Sequence, residues 1–116
     1  MISNDLLRGS VRTIILQILK EHGPMHGYAI TQKVEELTAG KIKLTYGAIY
    51  PVLHKLEDEK VLVTTSENFN NRIRVQYALT EAGHSLVAEK IGEMVEFIES
   101  IRRIIEPNPG LSYART

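Results

Sequence analysis

Apolar residues recur along this chain with a helical period of about 3.6 residues in four segments and alternate with polar residues in a fifth. The first period places apolar side chains on one face of a helix, and the second places them on one face of a strand. The pattern predicts helices over residues 10–21, 27–38, 45–60 and 81–105 and strands over residues 61–66 and 72–79. Residues 1–9 are predicted to form a short arm.

Glycine and proline residues separate the first three predicted helices. The first helix is predicted to end at Gly23 and Pro24, because this pair cannot continue it. Gly27 at the start of the second helix permits close approach to the first helix, and Gly40 is a candidate left-handed C-cap. Residues 41–44 form a linker or a brief edge strand. The buried stripe of the second helix is predicted to comprise Ile30, Val34 and Leu37.

The third predicted helix has two contrasting faces. Thr45 is a candidate N-cap, because its hydroxyl can accept a hydrogen bond from a first-turn N–H. Pro51 removes one backbone bond, which predicts an irregular first turn and a regular helix from near Ile49. The apolar face consists of Ile49, Val52, Leu53 and Leu56. The opposite face carries Gly47, Tyr50, Pro51, His54 and Lys55 in place of the Glu and Lys pairs that a solvated face normally has.

A hairpin is predicted directly after this helix. Residues 61–66 are rich in β-branched side chains, residues 67–71 have the composition of a turn, and residues 72–79 alternate. Arg72 and Arg74 lie on one face of the second strand, spaced to meet a phosphate backbone or a minor groove.

Three short helices followed by a hairpin predict a winged helix-turn-helix whose third helix is presented to the major groove of DNA. The predicted fold class is α+β, mainly α. The DNA-binding domain spans residues 1–80, a long C-terminal dimerisation helix spans residues 81–106, and residues 107–116 are predicted to be a disordered tail.

The last predicted helix carries a heptad seam. Apolar residues follow one another at intervals of four and three residues, which is the spacing of a coiled-coil interface. A helix this apolar on so small a domain needs a second surface, and a two-fold homodimer supplies one. The predicted interface residues are Val87, Ile91, Met94, Ile98, Ile101 and Ile105.

Composition argues against disulfide bonds and membrane helices, and the net charge leaves DNA binding open. The 116 residues include no cysteine, and no apolar run approaches the length of a membrane helix, so we expect a cytoplasmic protein without disulfides. His22 and His26 are separated by Gly23 and Pro24 and do not share a helix face, so no metal site is predicted. Serine, histidine and aspartate occur without the spacing of a nucleophile elbow or a phosphate loop, so no cofactor or enzymatic activity is predicted. The formal net charge of zero argues mildly against DNA binding, but no acidic residue lies between positions 36 and 57.

Four segments follow one another along the chain: HGYAI at 26–30, GAIYPVLHKLE at 47–57, VL at 61–62 and a Y-x-L-T-x-x-G run at 77–83. Together they resemble the PadR-like transcriptional regulators. The resemblance covers about residues 7–105, and the single long C-terminal helix is similar to that of the short subfamily.

The resemblance implies a homodimeric repressor that binds a pseudo-palindromic operator in double-stranded DNA and is released by a small phenolic or drug-like ligand. In some members an aromatic side chain on the dimer helix stacks on the ligand. This chain has no tryptophan, and Met94 and Phe97 are the nearest candidates for contacts with a small hydrophobic effector.

The candidate DNA contacts lie in the linker, the third helix and the hairpin: Lys41, Lys43, Thr45, Tyr46, Gly47, Tyr50, His54, Lys55, Arg72 and Arg74. Two other functions remain open at this point. One is a winged-helix module that binds a protein partner, which the neutral net charge would suit. The other is a ligand-binding protein whose pocket lies between two subunits and which does not bind DNA.

Overall fold

The computed structural model describes residues 1–106, in which five helices and three strands follow one another. The predicted tail, 107–116, lies outside the described residues. The fold is mainly α with one small antiparallel sheet, as the sequence predicts. The elements are α1 (Asn4–Leu7), α2 (Val11–His22), β1 (Met25–His26), α3 (Gly27–Leu37), α4 (Tyr46–Asp58), β2 (Leu62–Phe69), β3 (Arg72–Leu79) and α5 (Glu81–Ile105).

Helices α2, α3 and α4 form the core through the apolar stripes that their period predicts. Side chains with no exposed surface come from all three helices and include Ile15, Leu16, Ile30, Ile49, Leu53 and Leu56. Burying each such side chain contributes roughly 1.5–3 kcal/mol relative to leaving it in water. The prediction that Leu37 is buried is wrong, because this last residue of α3 is 60% exposed.

The N-terminal arm is ordered against the linker before α4. Ser3 caps the short helix α1 by accepting a hydrogen bond from the Leu6 N–H, and Leu7 is buried. The Ile2 N–H donates to the carbonyl of Lys41 at 2.8 Å. This bond is isolated, so residues 41–44 do not form the brief edge strand that the sequence allowed. Gly40 adopts the left-handed conformation with a φ of 78°, but the prediction that it caps α3 is wrong, because the C-cap is Thr38 and Ala39, with a φ of 50°, already turns the chain.

The third strand of the sheet lies where the sequence predicts only a break between helices. Met25 and His26 pair with Tyr77 and Gln76, which gives the strand order β1-β3-β2. Strand β1 therefore ties the start of α3 to the hairpin. Two residues are too few to show a period, so only pairing with β3 identifies them as a strand.

The hairpin is longer and its turn tighter than predicted. Strands β2 and β3 pair from Leu62 with Leu79 to Phe69 with Arg72. Asn70 and Asn71 alone form the turn, with φ of 51° and 63°. Two consecutive residues with positive φ are typical of a type I′ turn, and its twist matches that of the strands. The prediction of a five-residue turn over 67–71 is therefore wrong.

Helix α5 starts in the core and leaves it. Thr80 caps the helix by accepting a hydrogen bond from the Gly83 N–H at 3.0 Å. Val87 packs in the core cluster, and the second half of the helix projects from the domain. The molecule consequently measures 58 × 28 × 22 Å. No helix within residues 1–106 combines the length and the apolar character needed to cross a membrane.

Candidate nucleic-acid interface

Helix α4 begins at a well-formed cap. The Thr45 hydroxyl accepts a hydrogen bond from the Ala48 N–H at 3.1 Å, as the sequence predicts. The helix is regular from Tyr46 to Asp58, so the prediction of an irregular first turn is wrong. Pro51 is the sixth residue of the helix and removes only the bond to Gly47, which is exposed and can be solvated.

The outer face of α4 carries a row of three aromatic rings, Tyr46, Tyr50 and His54, here called the aromatic ladder. The ring centroids of Tyr46 and Tyr50 are 5.5 Å apart, and those of Tyr50 and His54 are 4.5 Å apart. The Tyr50 hydroxyl lies 2.7 Å from Nε2 of His54, within hydrogen-bond distance. Tyr46 and Tyr50 are 41% and 42% exposed, so each ring combines a fixed position with free surface.

Lysine side chains flank the aromatic ladder at both ends of α4. Lys41 and Lys43 are exposed before the helix, and Lys55 is exposed in its last turns. Among residues 1–106, neither Lys41 nor Lys43 has a carboxylate within ion-pair distance. The hydrogen bond that Arg12 donates to the Glu59 carboxyl lowers the pKa of this group, and the charge of Lys55 lowers it slightly further.

The hairpin presents two arginines near its tip. The guanidinium carbon of Arg74 lies 4.2 Å from the ring centroid of Phe69, a cation–π contact that holds the side chain along the strand. Arg72 is exposed and pairs with Phe69 in the register. Glu67 faces Arg74 across the hairpin, but its carboxylate lies 3.0 Å from Nε2 of His26 on β1. Strand β1 therefore engages the acid that could have neutralised Arg74.

Tyr77 connects the hairpin to α4. Its side chain is buried, and this burial, with a smaller contribution from nearby Tyr46, raises its pKa to about 12. The phenol is protonated at neutral pH, as an ordinary tyrosine also is, and keeps its proton to a higher pH. Tyr46, the first ring of the aromatic ladder, is its neighbour.

The predicted interface residues of α5 fall into two groups. Val87 has no exposed surface, so it belongs to the domain's own core and cannot contact a partner subunit. Ile91 packs against the same core, and Met94 is half-buried. The remaining residues, Ile98, Ile101 and Ile105, are exposed and line a groove of about 290 Å³ together with Phe97.

A second groove runs between the N-terminal segment and α5. Its volume is about 320 Å³, and it brings together Met94 and Phe97, the two candidates for effector contacts. The other lining residues include Leu6, Thr13, Lys90 and Glu93. Apolar walls with a few polar and charged groups are typical of a site for a small amphipathic ligand.

The sequence interpretation missed three residues that shape this surface. Phe69 was assigned to the turn, but it ends β2 and supports Arg74. The pair Asn70-Asn71 could have indicated this, because two adjacent residues tolerant of positive φ favour a two-residue turn. The contact between His26 and Glu67 joins residues 41 positions apart, and no local pattern reveals it.

Comparison of this chain with known proteins identifies transcriptional regulators as its relatives. The model of the family described as "Transcriptional regulator PadR-like family" matches residues 15–89. The transcriptional regulator YqjI of Escherichia coli is 35% identical over 91 residues, which cover 78% of this chain. The chain spans only 42% of the length of YqjI.

Solved structures resemble the fold over most of the chain. A transcriptional regulator from Clostridium thermocellum superposes with a TM-score of 0.75 at 27% identity, covering 89% of this chain and 97% of the other. Bacillus subtilis PadR, solved in complex with operator DNA, superposes with a TM-score of 0.64 at 26% identity, covering 70% of this chain and 46% of that protein.

Proposed function

This chain belongs to the PadR-like family of transcriptional regulators, and from that premise we propose that it is a homodimeric repressor that binds a pseudo-palindromic operator and is released by a small ligand. Its family and its relatives are transcriptional regulators, and like them it is a regulator and not an enzyme. The observation that carries the proposal is the outer face of α4, which is aromatic and contains no acidic residue from Thr45 to Lys55. We expect the protein to act in the cytoplasm.

In this proposal α4 enters the major groove. Its first turn presents Thr45, Tyr46 and Gly47, all exposed, at the end from which helices of this kind contact base edges. Tyr50 and His54 continue the contact surface along the helix, and Lys55 lies where it could meet a phosphate. The absence of acids between residues 36 and 57 also disfavours the alternative of a protein-binding module, for which acidic contacts on this face would be expected.

The phosphate contacts come from either side of α4. Lys41 and Lys43 precede the helix, and Arg72 and Arg74 lie on the hairpin that follows it. Because phosphate neutralisation supplies much of the affinity for DNA, these four cations compensate locally for a net charge of zero. The operator complex of Bacillus subtilis PadR supports the choice of DNA as the partner.

The dimer in this proposal forms through the exposed half of α5. In the single chain an apolar strip is exposed to solvent there, and it comprises Phe97, Ile98, Ile101 and Ile105. Pairing two strips buries them and sets the distance between two copies of α4. A ligand between α5 and the N-terminal segment would change this distance only if it binds the two arrangements with different affinities. The groove beside Met94 and Phe97 is the proposed place.

The hairpin arginines give the sharpest test of DNA contact. We expect Arg72→Ala and Arg74→Ala each to weaken binding to the DNA upstream of the protein's own gene and to reduce the salt slope by about 1. Gel shifts over a series of salt concentrations measure both quantities. Arg8→Ala is the matched control, because Arg8, the C-cap residue of α1, is an exposed arginine that pairs with Asp5 at 3.0 Å. Unchanged slopes in both hairpin variants would contradict the proposed contact.

A further inference from the structure

Gly27, the buried first residue of α3, lies directly under the ring of Tyr46. A Cβ atom built on Gly27 would overlap Cε1 of Tyr46 and lie 2.8 Å from Cδ1 and 3.3 Å from Cζ. Real Cβ atoms essentially never come this close to other heavy atoms, so a side chain at position 27 and the present position of Tyr46 exclude each other. The sequence interpretation placed this close approach between Gly27 and the first helix; the structure places it against α4.

The hairpin also reaches the neighbourhood of this ring. Tyr77 is 4% exposed, and its burial, with a smaller contribution from Tyr46, raises its pKa. Tyr77 is also the residue that pairs with Met25 of β1, two positions before Gly27. The pairing of β1 with β3 therefore brings Tyr77 close to Gly27, and with it to the ring of Tyr46.

The position of Tyr46 affects the rest of the aromatic ladder. Its ring contacts that of Tyr50, and Tyr50 in turn contacts His54 with both its ring and its hydroxyl. A Tyr46 ring displaced by a methyl group at position 27 would have to move toward solvent or toward Tyr50. Either movement changes the aromatic surface that α4 presents, while Ile49, Leu53 and Leu56 on the opposite face stay buried.

We propose that Gly27 and Tyr77 are positioning residues for DNA recognition, which act by fixing the ring of Tyr46 at the start of α4. This inference rests on the proposed function. It assigns to the junction of β1 and α3 a role in specificity, although neither residue reaches the outer face of α4. Gly27 supplies the space for the ring, and the buried hydroxyl of Tyr77 interacts with the hydroxyl of Tyr46.

A double-mutant cycle tests this role on a duplex that the wild-type protein selects from a random library. We expect Gly27→Ala to weaken binding about tenfold, which corresponds to about 1.4 kcal/mol. Tyr46→Ala should weaken it at least as much. The double variant Gly27→Ala/Tyr46→Ala should bind no more weakly than Tyr46→Ala alone, because without the ring the methyl group at position 27 has space.

Gly92→Ala is the matched control. Gly92 lies in α5, and an added Cβ there has no neighbour within 4 Å, so its affinity for the selected duplex should equal that of the wild type. Tyr77→Phe, which keeps the buried ring, should weaken binding severalfold in the wild-type background and have no effect beside Tyr46→Phe. If circular dichroism shows that Gly27→Ala does not fold, this second cycle tests the positioning role instead.

The outcomes separate the inference from the function on which it rests. If the wild type selects no duplex, the proposed function fails and the inference fails with it. If the wild type selects DNA but Gly27→Ala and Tyr77→Phe bind as well as the wild type, only the positioning role is wrong. Losses that multiply in the double variants would also overturn it, because they show an effect that does not pass through Tyr46.

Discussion

Helices α4 and α5 carry apolar stripes of the same kind, but only α4 buries its stripe within the chain. Ile49, Leu53 and Leu56 of α4 have no exposed surface. In α5, Val87 is equally buried, whereas Ile98 and Ile105 are 47% and 71% exposed. A contiguous exposed apolar strip is rare on a monomer and marks a surface for another molecule. The same pattern thus specifies the fold in α4 and, in the second half of α5, the proposed assembly.

The largest expected effect is a loss of stability from the buried stripe of α4. Leu53→Ala removes a fully buried side chain and should lower the free energy of unfolding by about 2–5 kcal/mol, because it leaves a cavity in the core. Urea denaturation measures this loss. Ile104→Ala on α5 is the control, since Ile104 is 74% exposed and its loss should cost far less. Equal losses would contradict the difference in burial between α4 and the second half of α5.

The second expected effect is a loss of association from the strip on α5. Ile101→Asp places a charge in the centre of the proposed interface and should raise the dimer dissociation constant about 30-fold, a cost of about 2 kcal/mol. Sedimentation over a range of protein concentrations measures it. Glu99→Gln, an exposed substitution on the same turn, should leave the constant unchanged. A wild-type protein that stays monomeric, or an Ile101→Asp variant that stays dimeric, would contradict the proposed interface.

A third effect should appear at alkaline pH, at the residue that connects the hairpin to α4. The pKa of Tyr77 is raised from 10.0 to about 12 in the folded protein. Above pH 10 the unfolded chain therefore loses this proton while the folded chain keeps it, so stability falls as pH rises from 10 to 12. Tyr77→Phe cannot lose this proton, and its stability should fall less steeply over that range. Parallel curves from thermal melts would show that Tyr77 is not the group responsible.

The sequence alone predicts the parts of the fold that local patterns determine. Periodicity gives four of the five helices, and the hydroxyl side chains Thr45 and Thr80 mark the starts of α4 and α5. Helix capping depends on residues three positions apart, so it can be recognised without knowledge of the tertiary structure. The same holds for the alternation in β3, whose bounds agree with the prediction.

The remaining features depend on contacts between distant segments. Strand β1 is a strand only because β3 pairs with it, and Val87 has the same spacing as the exposed residues of α5 although it belongs to the core. The hydrophobic periodicity of a helix shows that a residue faces an apolar neighbour, but it does not show whether that neighbour belongs to the same chain. The contact of Gly27 with Tyr46 likewise appears only in three dimensions.

The central claim is that two copies of α4, held at a fixed distance by α5, recognise DNA. Sequencing the duplexes that the purified protein selects from a random library tests it most directly. The account predicts two inverted half-sites whose centres are one helical turn apart, about 34 Å, or a whole multiple of this distance. Enrichment of a single half-site without a fixed partner, or no enrichment over random DNA, would contradict it.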